Sequence, residues 1–159
     1  MKITDVLVIG GSAAGMVVAL TGKSSWPKKN FVLVKKQKDT MVPCGIPYIF
    51  GTLDSIDLNI MPVDPMMEKA GIESIVDEAT FIDSSSKTVD FISGEKIKYD
   101  KLVLATGSMP LKPKWLPGVE KKNVFTILKD KTYLDEMKSR LSSLIRVVVI
   151  GAGFIGVEF

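Results

Sequence analysis

Two glycine-rich turns constrain what this chain can fold into. The first, GGSAAG at residues 10–15, follows the apolar run 6–9, and the second, GAGFIG at 151–156, follows the apolar run 147–150. A buried strand that ends in such a turn, with a helix beginning on it, directs backbone N–H groups and the positive end of the helix dipole towards a pyrophosphate. Two copies predict two bound dinucleotides, and we interpret the chain as one that passes electrons between them.

Composition narrows the class of protein further. The 159 residues are 46% hydrophobic and 25% charged, which is typical of a soluble globular chain. A net charge of +3 is too small to indicate a nucleic acid partner. The longest apolar runs are strand-sized, and the first residues lack the pattern of a signal peptide, so we expect no membrane span and no secretion.

The count of cysteine and histidine excludes several chemistries. A single cysteine cannot form an internal disulfide, which is typical of a protein of the reducing cytoplasm. The absence of histidine excludes histidine-based metal sites and Ser-His or Cys-His catalysis. We therefore expect a cytoplasmic protein without a metal site.

The N-terminal third has the pattern of a strand–helix–strand unit. Residues 5–9 and 31–34 predict parallel strands, and 13–23 predict a helix that ends at Gly22 as its C-cap. The helix places four residues on one face: Ala14, Val17, Val18 and Thr21. Further patterns predict helices at 46–50 and 65–71 and strands at 72–76, 80–83, 87–92 and 97–105, of which 80–83 and 87–92 have antiparallel character.

The C-terminal third begins after the clearest linker. Pro110, Pro113 and Pro117 interrupt residues 109–119, and 124–128 beyond them predict a strand. Residues 131–144 predict an amphipathic helix with Asp130 as its N-cap. Its apolar stripe comprises Tyr133, Leu134, Met137, Leu141 and Leu144.

The fold class is therefore α/β. We predict a three-layer Rossmann-like domain at residues 1–111, with a parallel sheet, helices and a small antiparallel β-meander, then a linker at 112–123. Residues 124–159 are predicted to begin a second such domain. Because half a strand–helix–strand unit cannot bury its own strand, we expect either that the chain is a fragment or that its end is covered by something else.

Cys44 is the candidate catalytic residue, in the loop Val42-Pro43-Cys44-Gly45. A lone cysteine is by default a small inert hydrophobe. Three features favour a functional thiolate instead: the proline- and glycine-rich loop, a helix that begins just after it, and nearby cations. These cations are Lys35, Lys36 and Lys38. On the residues alone both interpretations stay open.

In combination, the motifs resemble one family. The first glycine turn, the Cys44 loop, the strand that ends at residues 105–107 and the second glycine turn resemble the pyridine nucleotide-disulfide oxidoreductases in order and spacing. The single cysteine is similar to the branch that holds coenzyme A-disulfide or persulfide reductases, NADH oxidases and NADH peroxidases. Two-cysteine members carry C-x-x-x-x-C, and its absence here excludes an internal redox disulfide.

The resemblance implies FAD on the first fold and NAD(P)H on the second, with Cys44 beside the flavin ring. Residues implied to bind FAD are Gly10, Gly11, Ser12, Ala13, Ala14, Gly15, Val34, Lys35, Pro43, Ala79, Ala105, Thr106 and Gly107. Residues implied to begin the NAD(P)H site are Gly151, Gly153 and Gly156. The family's second strand normally ends in a carboxylate that binds the adenosine ribose. Here that place is Val34, followed by Lys35.

The implied activity is reduction of a disulfide, persulfide or oxygen species by NAD(P)H through flavin and Cys44. The substrate is a small molecule, such as coenzyme A disulfide or persulfide, and a full-length member is implied to be a homodimer. The alternatives are an NADH oxidase or peroxidase, in which oxygen species react at the flavin, and a non-catalytic nucleotide-binding fragment. We expect the 159-residue chain alone to be inactive.

Overall fold

The chain divides into two compact units in a computed structural model that describes residues 1–143 and 146–159. The first, here the sheet unit, comprises Met1–Thr40 and Met61–Gly107. The second, here the Cys44 unit, comprises Met41–Ile60 and Ser108–Phe159. The domain ranges 1–111, 112–123 and 124–159 stay predictions, because packing units alone do not define nucleotide-binding folds.

The sheet unit is built on a six-stranded mixed sheet with the order β5-β2-β1-β8-β7-β6. The strands of the chain are β1 Lys2–Ile9, β2 Phe31–Lys35, β3 Thr40–Met41, β4 Ile60–Met61, β5 Glu73–Val76, β6 Ala79–Asp83, β7 Thr88–Phe91 and β8 Lys96–Leu104. β5, β2, β1 and β8 are parallel, whereas β6, β7 and β8 form the predicted antiparallel meander. β3 and β4 form a separate two-stranded sheet. The predicted Rossmann-like α/β class is confirmed.

β2 and the second half of β1 are buried on both faces, which explains the apolar runs at residues 31–34 and 6–9. Leu7, Val8 and Leu33 are completely buried. Leu7 and Val34 belong to one apolar cluster, and Val8 and Leu33 belong to another on the opposite side of the strands. These strands form a rigid base for the turn that follows β1.

Helix α1 differs from its prediction in two respects. It runs over Ala13–Ser25, so Gly22 lies inside it and is not its C-cap. Its buried face consists of Gly15, Ala19 and Gly22, while the predicted face of Ala14, Val17, Val18 and Thr21 is exposed. A Cβ atom on Gly22 would lie 2.6 Å from the Phe31 ring. The helix therefore approaches β2 through its smallest residues, which an apolar pattern alone does not identify.

The remaining helices are α2 Ile46–Gly51, α3 Val63–Lys69, α4 Lys131–Leu141 and α5 Phe154–Glu158. The predicted N-cap of α4 is confirmed, because the Asp130 carboxylate accepts a bond of 2.8 Å from the Tyr133 N–H. Within the Cys44 unit, Leu134 of α4 packs with Ile46 and Ile49 of α2. Leu144 of the predicted stripe lies outside the described residues.

Two predicted strands are wrong. Residues 124–128 and 146–150 have no strand structure, and all five residues of the second segment are exposed. A strand is stable only when its N–H and C=O groups pair with a neighbour, and no described strand pairs with either segment. In the described ranges, no helix has the length and apolarity needed to cross a membrane.

Candidate functional site

The first glycine turn joins β1 to α1 and has no room for a side chain at Gly10, Gly11 or Gly15. Gly10 has φ +116°, and its N–H donates to the Val34 carbonyl at 2.8 Å. A Cβ atom on Gly10 would overlap the Ala105 carbonyl oxygen, and one on Gly15 would overlap the carbonyl oxygen of Gly10. The turn therefore presents bare backbone at the N-terminus of a 13-residue helix.

Ser12 is the N-cap residue of α1, and its side chain leaves the helix end available. Its hydroxyl makes no capping bond. The Ser12 oxygen is buried, and within residues 1–143 and 146–159 it has no hydrogen-bond partner. The first turn of α1 carries no acidic residue that would repel an anion. An unpartnered hydroxyl, the helix N-terminus and bare backbone fit the pyrophosphate of a dinucleotide.

The segment after β8 supports the turn. The Ala105 N–H donates to the Ile9 carbonyl at 2.8 Å, which holds Ala105 and Thr106 against Gly10. Thr106 and Gly107 are exposed, and Gly107 has φ +73°. The structure thus brings the predicted residues of 10–15 together with those of 105–106. Ala79 begins β6 and pairs with Phe91.

The end of β2 carries a buried cation. Val34 belongs to an apolar cluster, whereas the stem of Lys35 lies against the turn, 2.7 Å from where a Cβ atom of Gly11 would be. The Lys35 ammonium donates to Asp64 Oδ2 at 2.8 Å and to the Lys38 carbonyl at 2.7 Å. That bond from Lys35 lowers the pKa of Asp64, which is ionised at neutral pH. Asp64, in the first turn of α3, gave no signal in the sequence.

Cys44 lies in a single 3₁₀ turn, Pro43–Gly45, between β3 and α2. Its thiol is free and exposed. Two of the three lysines predicted to supply positive potential are in ion pairs, Lys35 with Asp64 and Lys36 with Glu78. The exposure permits reaction with a substrate in solution.

Asn59 holds the Cys44 loop and was missed in the sequence, because residues 54–63 have no regular pattern. Asn59 is buried, and its Nδ2 donates to the Val42 carbonyl at 3.1 Å. The Val42 N–H donates in return to the Asn59 carbonyl at 2.9 Å. A Cβ atom on Gly45 would overlap Asn59 Oδ1. Asn59 is therefore a positioning residue for the turn that carries Cys44.

Replacement of Asn59 with alanine is expected to destabilise the Cys44 unit by about 1–2 kcal/mol, because the Val42 carbonyl loses a buried partner. Urea denaturation measures the loss, and the rate of Cys44 alkylation reports loosening of its turn. The exposed Asn123→Ala is the matched control and is expected to change neither quantity. Equal alkylation rates in both variants would contradict a positioning role for Asn59.

The second glycine turn has the same internal packing as the first. Gly151 has φ +111°, and a Cβ atom on Gly156 would overlap the Gly151 carbonyl oxygen. Helix α5 after it has only five residues, and Phe154 at its start is almost fully exposed. The role of Gly151, Gly153 and Gly156 in binding NAD(P)H stays a prediction.

Comparison with known proteins agrees with this geometry. The model of the pyridine nucleotide-disulphide oxidoreductase family matches residues 4–159, and the chain belongs to that family. Members of the family use FAD and NAD(P)H.

The individual relatives are much longer than this chain. It is 32% identical to an NADH oxidase of Methanocaldococcus jannaschii and 36% identical to human apoptosis-inducing factor 3, over 96% and 98% of its length. It spans only 36% and 25% of those proteins. The structure of a NAD-dependent persulfide reductase from A. fulgidus matches with a TM-score of 0.80 and 31% identity, over 97% of this chain and 30% of that one.

Proposed function

We propose that this chain is the FAD-binding part, with the beginning of the NAD(P)H-binding part, of an oxidoreductase that reduces a disulfide or persulfide through Cys44. The observation that carries the proposal is the first glycine turn, where Gly10 and Gly15 exclude side chains and the Ser12 hydroxyl is buried without a partner in the described chain. These features suit a pyrophosphate held by backbone N–H groups. The similarity to a persulfide reductase supports the substrate class.

The residues proposed to hold FAD are those of the turn, with support from Ala105 and Thr106. When bound, FAD supplies two-electron transfer from NAD(P)H. The Cys44 thiolate attacks a substrate R–S–S–R, forms Cys44–S–S–R and releases one RS⁻. Two electrons then break the mixed disulfide, which regenerates the Cys44 thiolate and releases the second RS⁻. Its exposure supports this role for Cys44.

The proposal also covers the substrate, the oligomeric state and the cellular compartment of the whole protein. We propose a small thiol-derived substrate, a homodimer of a longer chain and a reducing cytoplasm, supported by the single cysteine. The similarity to an NADH oxidase favours a second candidate, in which oxygen accepts the electrons. In a protein of the relatives' length, oxygen consumption would indicate the oxidase, and release of thiol would indicate the disulfide or persulfide reductase.

Titration with FAD tests the proposal on the chain itself. We expect the 159 residues to bind FAD in a 1:1 ratio, with the visible flavin absorbance retained after gel filtration. The Gly51→Ala variant is a control for substitution of a glycine outside the turn. It is expected to bind FAD as the parent chain does, because a Cβ atom at residue 51 meets no atom within 4 Å. Absence of bound flavin at saturating FAD, in a chain shown to be folded, would overturn the proposal and favour a non-catalytic role.

A further inference from the structure

The end of β2 lacks the carboxylate expected beside a dinucleotide, yet a carboxylate is present nearby on another element. The adenosine ribose hydroxyls donate hydrogen bonds, so they need an acceptor, and an ammonium group such as that of Lys35 has none. Lys35, the last residue of β2, lies against Gly11 of the first glycine turn, at the place where the carboxylate side chain is expected. Its ammonium group is bonded to Asp64, which lies on α3.

We propose that Asp64, held by Lys35, is the acceptor for the adenosine ribose hydroxyls of a dinucleotide at the first glycine turn. This inference rests on the proposed function for the presence of a nucleotide and adds the residues that recognise its ribose. Asp64 acts as the binding residue, and Lys35 is a positioning residue.

Burial and hydrogen bonding support this division of roles. The Lys35 side chain is only 4% exposed, whereas that of Asp64 is 50% exposed. The two carboxylate oxygens are fixed by separate donors, Oδ2 by Lys35 and Oδ1 by the Ser74 hydroxyl at 2.7 Å. Each oxygen accepts one of these bonds and keeps a second lone pair. Asp64 therefore has a fixed orientation and unused acceptor capacity on a side open to solvent.

Charge also favours the pair over an isolated carboxylate. A carboxylate beside a pyrophosphate is repelled by it, whereas the Lys35–Asp64 pair carries no net charge. The same pair disfavours a phosphorylated ribose, because the buried Lys35 ammonium is already bonded to a carboxylate. We expect the site to prefer a free ribose diol.

Calorimetric titration of the full chain with ADP and with 2′-deoxy-ADP tests the proposal. Loss of one hydrogen bond to a charged group predicts that ADP binds about tenfold more tightly than 2′-deoxy-ADP. Asp64→Asn and Lys35→Met are each expected to reduce this ratio to below about threefold.

A matched control guards against a general effect of removing an ion pair. Asp5 bonds Lys29 at 2.8 Å, as Asp64 bonds Lys35, but lies in the first half of β1, away from the turn at its end. Asp5→Asn is expected to leave the ADP ratio unchanged. Urea denaturation of every variant shows that it is folded, and Lys35→Met, which removes the group that orients Asp64, provides the test if Asp64→Asn does not fold.

Several results would overturn the proposal. They are equal binding of the two nucleotides to the parent chain, no binding of either, an unchanged ratio in folded Asp64→Asn, or tighter binding of adenosine 2′,5′-bisphosphate than of ADP. The FAD titration separates this inference from the proposed function. If the chain binds FAD but binds ADP and 2′-deoxy-ADP equally, only the inference about Asp64 is overturned. If it prefers ADP to 2′-deoxy-ADP but binds no FAD, only the proposed function is overturned.

Discussion

Replacement of Gly15 with alanine is expected to destabilise the sheet unit by about 3 kcal/mol and to abolish FAD binding at the first turn. The added Cβ atom would overlap the carbonyl oxygen of Gly10, which is backbone and cannot rotate away. Gly10 is itself fixed by its bond to Val34 and by the adjacent Ala105. The clash is therefore relieved only by opening the turn, which removes the surface that faces the phosphates.

Urea denaturation followed by circular dichroism measures the stability, and FAD absorbance after gel filtration measures binding. Two matched glycine-to-alanine changes serve as controls. Gly51→Ala meets no atom within 4 Å and lies in α2, so it is expected to be neutral or slightly stabilising. Gly156→Ala has the same overlap in the second turn, where the described residues 146–150 form no strand, and it is expected to cost less than Gly15→Ala. Unchanged stability and flavin binding in Gly15→Ala would contradict the close packing of this turn.

Replacement of Cys44 with serine is expected to abolish electron delivery to a disulfide. In the parent chain, Cys44 is first converted to a mixed disulfide with 5-thio-2-nitrobenzoate, and bound FAD is then photoreduced in the absence of oxygen. Two electrons break the S–S bond, so we expect about one coloured thiol to be released per chain. Serine cannot form the mixed disulfide, and the release falls to zero.

A relocated cysteine distinguishes a redox site from any exposed thiol. The double variant Cys44→Ser with Ser24→Cys keeps a single cysteine but moves it to an exposed position near the far end of α1 from the glycine turn. It is expected to form the mixed disulfide and to release no thiol on flavin reduction. Equal release from both positions would remove the role proposed for Cys44.

The elements that were predicted correctly are those whose contacts lie between residues close together in the sequence. The strand, turn and helix around Gly10 were predicted because an apolar run, glycines and an alanine-rich segment follow one another over about 20 residues. The Asp130 cap was predicted for the same reason, since it bonds Tyr133 three residues later. The internal packing of the second glycine turn is equally local, and it forms although residues 146–150, as the structure describes them, are not a strand.

Features that depend on distant partners were not predictable from such patterns. The segment 146–150 has a strand-like composition, but a strand also needs a neighbour. Gly22 is a contact with Phe31 rather than a helix end, and Asn59 holds a turn whose Val42 is distant in sequence. Asp64 becomes a candidate for binding only because folding brings Lys35 to it. Each of these depends on tertiary contacts that no spacing rule encodes.

The order of strands has a consequence for how the molecule is made. β1 is the first strand in the chain, yet it lies between β2 and β8, and its first residue, Lys2, pairs with Ile97. Closing so long a loop is slow, because entropy is lost before the contacts that compensate for it form. Until β8 leaves the ribosome, one edge of β1 has no strand to pair with and is open to other chains, so the yield of native protein is expected to depend on chaperone supply during synthesis.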